Sequence, residues 1–167
     1  PSWTASNIAT SADQPQSVFA ADIDGDGDMD IVSASDGDDT IAWYENDGAS
    51  DPSWSAANID TNADGAQDVH VADMDNDGDL DILSASANDD TIAWYENLGD
   101  TDDDGILDWT AADIATSADG ARSVFAADID NDGDMDVISA SYVDDAIAWY
   151  ETTAIPEFSN IMMPIVS

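Results

Sequence analysis

Apolar residues in this chain fall in short alternating runs, and the runs return in a fixed order. Residues 17–22 (SVFAAD) recur as 68–73 (DVHVAD) and 123–128 (SVFAAD). Residues 30–35 (DIVSAS) recur as DILSAS and DVISAS, and residues 40–46 (TIAWYEN) as TIAWYEN and AIAWYE. A fourth run carries Trp and Ile at alternating places: PSWTASNIAT from Pro1, PSWSAANID from Pro52 and DWTAADIAT from Asp108. Trp3 and Trp54 lie 51 residues apart, Trp54 and Trp109 55 apart. The runs are β-branched and aromatic, with turn residues between them and no sustained 3.6-residue period, so they predict strands and no helices. Runs such as IAWYE and IVSAS carry sizeable side chains on both faces, as strands covered on both sides do. Four short strands in antiparallel succession at a period of about 40–55 residues predict blade-like sheets that stack on one another. The expected fold is all-β, a β-propeller-type array of three four-stranded antiparallel blades. The expected division is repeat 1 over 1–51, repeat 2 over 52–107 with an acidic insertion at 98–108, repeat 3 over 108–153, and an apolar tail over 154–167.

Between the first and second run of each copy stands an acidic loop. The three loops are DIDGDGDMD over 22–30, DMDNDGDLD over 73–81 and DIDNDGDMD over 128–136. Asp fills positions 1, 3, 5, 7 and 9, and Gly fills position 6. Side chains at 1, 3 and 5 converge on one centre, Gly permits a sharp turn, position 7 offers its carbonyl, and Asp at 9 closes the shell. Oxygen-only coordination by several carboxylates is calcium chemistry. The candidate ligands are therefore Asp22, Asp24, Asp26, Asp28 and Asp30; Asp73, Asp75, Asp77, Asp79 and Asp81; and Asp128, Asp130, Asp132, Asp134 and Asp136. Asp28, Asp79 and Asp134 are expected to lend only their carbonyls and to point their side chains to solvent. An EF-hand would carry Glu at position 12, where Ser33, Ser84 and Ser139 stand, and would be flanked by helices. Carboxylates roughly 5 Å apart repel by on the order of 1 kcal/mol per pair even in water, so loops this dense are expected to fold around a cation. The insertion supplies a fourth copy, DTDDDGILD, with Asp100, Asp102, Asp104 and Asp108 as side-chain ligands and Ile106 as carbonyl donor. Three calcium ions are expected, and a fourth at 100–108.

The DxDxDGxxD loop set between an apolar strand and the DIVSAS…TIAWYEN pattern resembles the VCBS/FG-GAP repeats, the blade type of integrin-α-like β-propellers. The resemblance covers roughly residues 1–151. It implies a calcium-binding blade from an extracellular or cell-surface protein, with Asp22, Asp24, Asp26, Asp30 and their equivalents as ligands. Members usually carry about seven blades, and three blades leave two raw faces. The final repeat stops at AIAWYETT without a following Trp strand, while Trp3 begins a spare one. Other copies of the chain are thus expected partners, meeting head to tail in a ring or filament. The chain can also be a fragment whose other blades lie elsewhere.

Charge narrows the partners. The formal net charge is −38, with one basic residue, Arg122, and one His, His70. Nucleic acid and anionic membranes need a basic footprint, so neither is expected. Such charge self-repels unless calcium or high salt neutralises it. There is no Cys, hence no disulfide framework. The start at Pro1, without Met or a signal peptide, suggests a processed or excised piece. The tail, AIPEFSNIMMPIVS, is too short to span a bilayer. It resembles the beginning of the C-terminal sorting tails of archaeal surface proteins, which carry a Pro-Glu-Phe element; docking on a neighbour as an extra strand is the other reading.

His70 aligns with Phe19 and Phe125 and is expected to pack as they do, and Arg122 aligns with Gln16 and Gln67 in a turn. The repeated Trp residues are expected in the core, and Tyr142, unmatched elsewhere, on the surface. With so few cationic groups, catalysis is not expected. The reading is a calcium-rigidified structural or adhesive surface module; the alternatives are a lectin-like propeller binding surface proteins or glycans, or part of a larger surface protein or enzyme.

Overall fold

The computed structural model describes residues 2–152, and the tail at 154–167 lies outside them, so neither its sorting-signal resemblance nor its docking can be placed. Eleven strands form three antiparallel sheets of four, four and three strands, and the described residues contain no helix. The first sheet takes the order β1 (Pro15–Ala21), β2 (Asp30–Ser35), β3 (Thr40–Asn46), β4 (Trp54–Asp60). The second takes β5 (Ala66–Ala72), β6 (Asp81–Ser86), β7 (Thr91–Asn97), β8 (Trp109–Ala115). The third has β9 (Ala121–Ala127), β10 (Asp136–Ser141) and β11 (Ala146–Tyr150).

Three four-stranded sheets were expected, and the third sheet has three strands. The Trp-bearing run that opens each sequence repeat closes the sheet before it, with Trp54 opposite Asn46 and Trp109 opposite Asn97. The structural unit is therefore out of phase with the sequence unit. Residues 2–14 form no strand, contrary to the expectation for the Trp3 run. The physical reason is a missing edge: the free edge of the first sheet is already taken by β4, and an unpaired strand leaves its amides to water. Trp3 is accordingly 92% exposed.

The sheets stack through β1, β5 and β9, which lie side by side. Two cores result. Val32, Ala34, Ile41 and Trp43 of the first sheet meet Val69, Val71, Ile82 and Tyr95 of the second. Leu83, Ala85 and Ile92, from the other face of the second sheet, meet Val124, Ala126 and Val137 of the third. Ile41, Ile82, Leu83 and Ile92 are fully buried, each contributing about 1.5–3 kcal/mol. Small buried side chains on the central strands, Ser33, Ser35, Ser84, Ser86, Ser139 and Ser141, let the backbones approach closely.

Asp68 ties the three inner strands together, accepting from the Ser17 hydroxyl (2.7 Å), the Ser123 hydroxyl (2.8 Å) and the Val124 amide (3.1 Å). Next to it the His70 ring sits between Phe19 (5.0 Å between centroids) and Phe125 (4.4 Å). His70 thus packs as an aromatic, half-buried, and burial holds its pKa below the usual value. Arg122 donates to Gln67 at 2.6 Å and lies 6.0 Å from the ring of the exposed Tyr142.

Candidate metal centres

Each acidic loop is the connection of a hairpin. Ala21 pairs with Asp30, Ala72 with Asp81 and Ala127 with Asp136, so the loops leave and re-enter one sheet across a single register step. Within them, carboxylate oxygens of positions 1, 3 and 5 come within 4.8 Å of one another: Asp22, Asp24, Asp26; Asp73, Asp75, Asp77; and Asp128, Asp130, Asp132. The insertion makes the same triad from Asp100, Asp102 and Asp104.

One hydrogen-bond scheme shapes all four loops. The position-6 amide donates to the position-1 carboxylate: Gly27 to Asp22 (3.0 Å), Gly78 to Asp73 (3.1 Å), Gly133 to Asp128 (3.3 Å) and Gly105 to Asp100 (2.8 Å). The position-7 amide donates to the position-5 carboxylate: Asp28 to Asp26, Asp79 to Asp77, Asp134 to Asp132 and Ile106 to Asp104, at 2.9–3.0 Å. These bonds fix the position-7 residue whose carbonyl the sequence reading assigns to the ion. The glycine at position 6 has φ of +98° at Gly27, +103° at Gly78, +84° at Gly105 and +102° at Gly133, which L side chains rarely adopt. Position 4 is also left-handed, at Gly25, Asn76, Asp103 and Asn131. That requirement was legible in the Gly, Asn, Asp and Asn found there, residues that tolerate positive φ, and the sequence reading passed over it.

Whether these loops suit a cation can be judged from the first ligand. Asp22 and Asp73 each spend Oδ2 on the glycine amide, while Oδ1 of both is buried without a hydrogen-bond partner. A buried carboxylate oxygen left unpaired costs several kcal/mol unless a cation meets it. Burial also raises the pKa of Asp24 and of Asp75, with neighbouring carboxylates adding to the effect. An oxygen-only donor set with a surplus of negative charge fits a hard divalent cation such as calcium.

The ninth Asp stands apart from the triads. Asp30, Asp81 and Asp136 are buried, and both oxygens of each accept backbone amides. One holds the position-2 residue: Ile23 (3.2 Å), Met74 (3.0 Å) or Ile129 (3.1 Å). The other holds the end of the third strand: Asn46 (2.8 Å), Asn97 (2.8 Å) or Thr152 (3.0 Å). Each oxygen keeps a second lone pair, so this bracing is compatible with a ligand role. Burial pushes the Asp81 carboxyl up to about 6. The side chains of Asn46, Asn97 and Thr152 complete the brace by donating to the position-8 carbonyls of Met29, Leu80 and Met135. The sequence reading missed these three; the residue after the shared IAWYE was their only trace. Position 7 also differs from expectation in one loop. Oδ2 of Asp28 lies so close to Gly48 that a Cβ added there would come within 2.0 Å of it, so this side chain covers a turn and does not simply face solvent.

The fourth loop joins two strands of the second sheet but reaches toward the first. It belongs to the connection from β7 to β8, yet Leu107 packs into the core shared with the first sheet. Beside Ile106 and Leu107, a cleft of about 320 Å³ is walled by Asp24, Trp43, Glu45 and Asp100. Asp108, at position 9, accepts from the Thr101 amide at 3.1 Å and from the Thr101 hydroxyl. Ile106, expected to anchor the loop, is largely exposed, and Leu107 serves that role.

Stacked antiparallel sheets whose first hairpins carry DxDxDGxxD triads define an acidic all-β repeat protein. The FG-GAP-like repeat family matches residues 22–84 and again 73–139. The chain belongs to that family, one of structural repeats. No curated protein matches it.

Proposed function

We propose that the chain is a calcium-loaded blade array of propeller type, acting as a rigid structural or adhesive module outside the cell or at its surface. The observation that carries this is the buried, unpaired Oδ1 of Asp22 and of Asp73 within triads that recur four times. Side-by-side inner strands and sheets packed face to face support the propeller-type arrangement. The family's repeats are typically extracellular, where free calcium is abundant enough for such sites. Calcium here is a joint, because each ion would lock a hairpin whose ninth Asp also grips the third strand of the same sheet. Most carboxylates in the loops are taken up by that architecture, which favours a scaffold over a catalyst. The fourth site would stiffen the boundary between the first and second sheets, since its loop reaches across it.

Calorimetric titration of the metal-stripped chain tests the proposal. Four calcium ions per chain are expected, falling to three in the Asp100→Asn/Asp104→Asn variant. A chain that takes up no calcium at millimolar concentration, or binds magnesium as tightly, would sink the reading.

A further inference from the structure

The two internal sheet contacts are built alike, and the halves of a third such contact stand open at the two ends of the array. Val69 and Val124 pack toward the preceding sheet and are 3% exposed, whereas their counterpart Val18 is 66% exposed. Ala20 and Ile31 share that open face with Val18. At the other end, Ile41 and Ile92 pack toward the following sheet at 0% exposure, whereas Ile147 is 83% exposed. Trp149 is 49% exposed where Trp43 is 6% exposed, and Phe125 is exposed beside it.

A polar latch follows the same rule. At the first contact, Asp39 accepts the Ala63 amide on its carbonyl (3.0 Å) and the Gly65 amide on Oδ1 (2.9 Å). At the second, Asp90 accepts Ala118 on its carbonyl and Gly120 on Oδ1, both at 2.9 Å. The equivalent acceptor in the third sheet is Asp145, and the equivalent donors ahead of β1 are the amides of Ala12 and Gln14. Among the described residues none of the three has a latch partner. Two of them already hold the backbone conformation of the internal latches: Asp145 has φ +55° beside +56° and +61° for Asp39 and Asp90, and Gln14 has φ +52° beside +70° and +66° for Gly65 and Gly120. A left-handed Gln costs of order 1 kcal/mol, which suits a position shaped for docking.

We propose that two copies of this chain join end to end, the third sheet of one stacking on the first sheet of the next as the internal sheets stack. This rests on the blade-array reading above and adds the interface that completes it. Asp145 latches Ala12 and Gln14 of the second copy, and Phe125, Ile147 and Trp149 cover its Val18, Ala20 and Ile31. The inner positions are compatible. The only acid among them, Asp68, lies in the middle sheet, so at these positions the junction brings Ser123 to Ser17 and Phe125 to Phe19, neither a like-charge pair. Long-range charge opposes association, since each copy carries a formal −38. Calcium lowers that charge, and raising salt shortens its reach from about 8 Å at physiological strength to about 3 Å at 1 M. Association should therefore strengthen with ionic strength, the reverse of a contact held by opposite charges.

Sedimentation velocity in calcium, across protein and salt concentration, reads the result. The wild-type chain is expected to grow in mass with both. Val18→Asp and Ile147→Asp, at exposed sites that leave each fold intact, should each be monomeric alone. Mixed, they should form a one-to-one dimer and stop, because each supplies one sound face. Asp145→Ala should weaken wild-type association several-fold. Calcium-dependent melting checks that every variant is folded. A wild-type chain that stays monomeric at high salt and concentration overturns the proposal, as does a Val18→Asp variant that still self-associates or a mixture that does not. If calcium-dependent melting persists in that event, only the end-to-end contact has failed; if it too is lost, the calcium reading has failed with it.

Discussion

Stripping calcium should bring this chain close to unfolding, and the scale follows from the loops. Three carboxylates within 4.8 Å of one another make three repelling pairs per loop. Each pair costs about 0.9 kcal/mol at the dielectric of water and about 3.5 kcal/mol at an effective dielectric of 20. Even at the lower figure, four loops amount to about 10 kcal/mol. The unfolded chain keeps some of this, because successive Asp residues are two apart, so the part that opposes folding is smaller than the sum of the pairs. Native domains have roughly 5–15 kcal/mol in total. Seen from the bound state, four sites at about 100 times their dissociation constant contribute roughly 2.7 kcal/mol each, or about 11 kcal/mol. For a chain this long, 1 kcal/mol moves the melting temperature by about 2–4 °C, so chelation should lower it by roughly 20–40 °C. Circular dichroism melts in calcium and in chelator, at low ionic strength, measure the shift. Potassium chloride should restore only part of the loss, because screening weakens the repulsion but does not coordinate the buried Oδ1 of Asp22 and Asp73. Equal melting temperatures with and without chelator at low salt would refute the reasoning.

Other outcomes follow from single residues. Asp68→Ala removes the acceptor shared by Ser17, Ser123 and Val124 and should cost about 3 kcal/mol in urea melts, with most of it absent in a Ser17→Ala/Ser123→Ala background. Ile92→Ala empties a fully buried site and should cost about 2–5 kcal/mol, whereas Ile147→Ala, at the same place in the third sheet, should cost less than about 0.5 kcal/mol in dilute monomer. Burial lifts Asp81 from 3.8 to about 6 in the calcium-free fold, so the native state binds its proton more tightly than the unfolded chain does. Calcium-free stability should therefore rise as pH falls through 6, by at most about 3 kcal/mol, and calcium-loaded stability should fall as protons displace the ion. The lowered pKa values of His70, Asp47 and Asp136 work the other way, so the Asp81 contribution is read as the difference in calcium-free melting temperature between the wild-type chain and Asp81→Asn, and a difference that does not change on acidification through pH 6 would contradict the assignment.

Much of this was legible because the repeats compare the chain with itself. Alternation in SVFAAD, DIVSAS and TIAWYEN gave the strands and their antiparallel order, since period 2 and the turn residues between runs are local properties. Positions 1, 3 and 5 of the loops, and the fourth copy at 100–108, were readable for the same reason: carboxylates two residues apart around a glycine turn meet without help from distant chain. Tertiary structure decided whatever depends on which edge meets which. The Trp54 and Trp109 runs close the sheet before their own repeat, and the Trp3 run stays outside because β4 holds the matching edge of its own sheet while the open edge of β11 lies at the far end of the array. Burial of Asp30, Asp81 and Asp136 under their loops, with Asn46, Asn97 and Thr152 as braces, needed partners 16 residues away. Identical residues acquired different environments, Ile92 fully buried and Ile147 bare, because sequence sets what a face can bury and only stacking sets what is there to bury it.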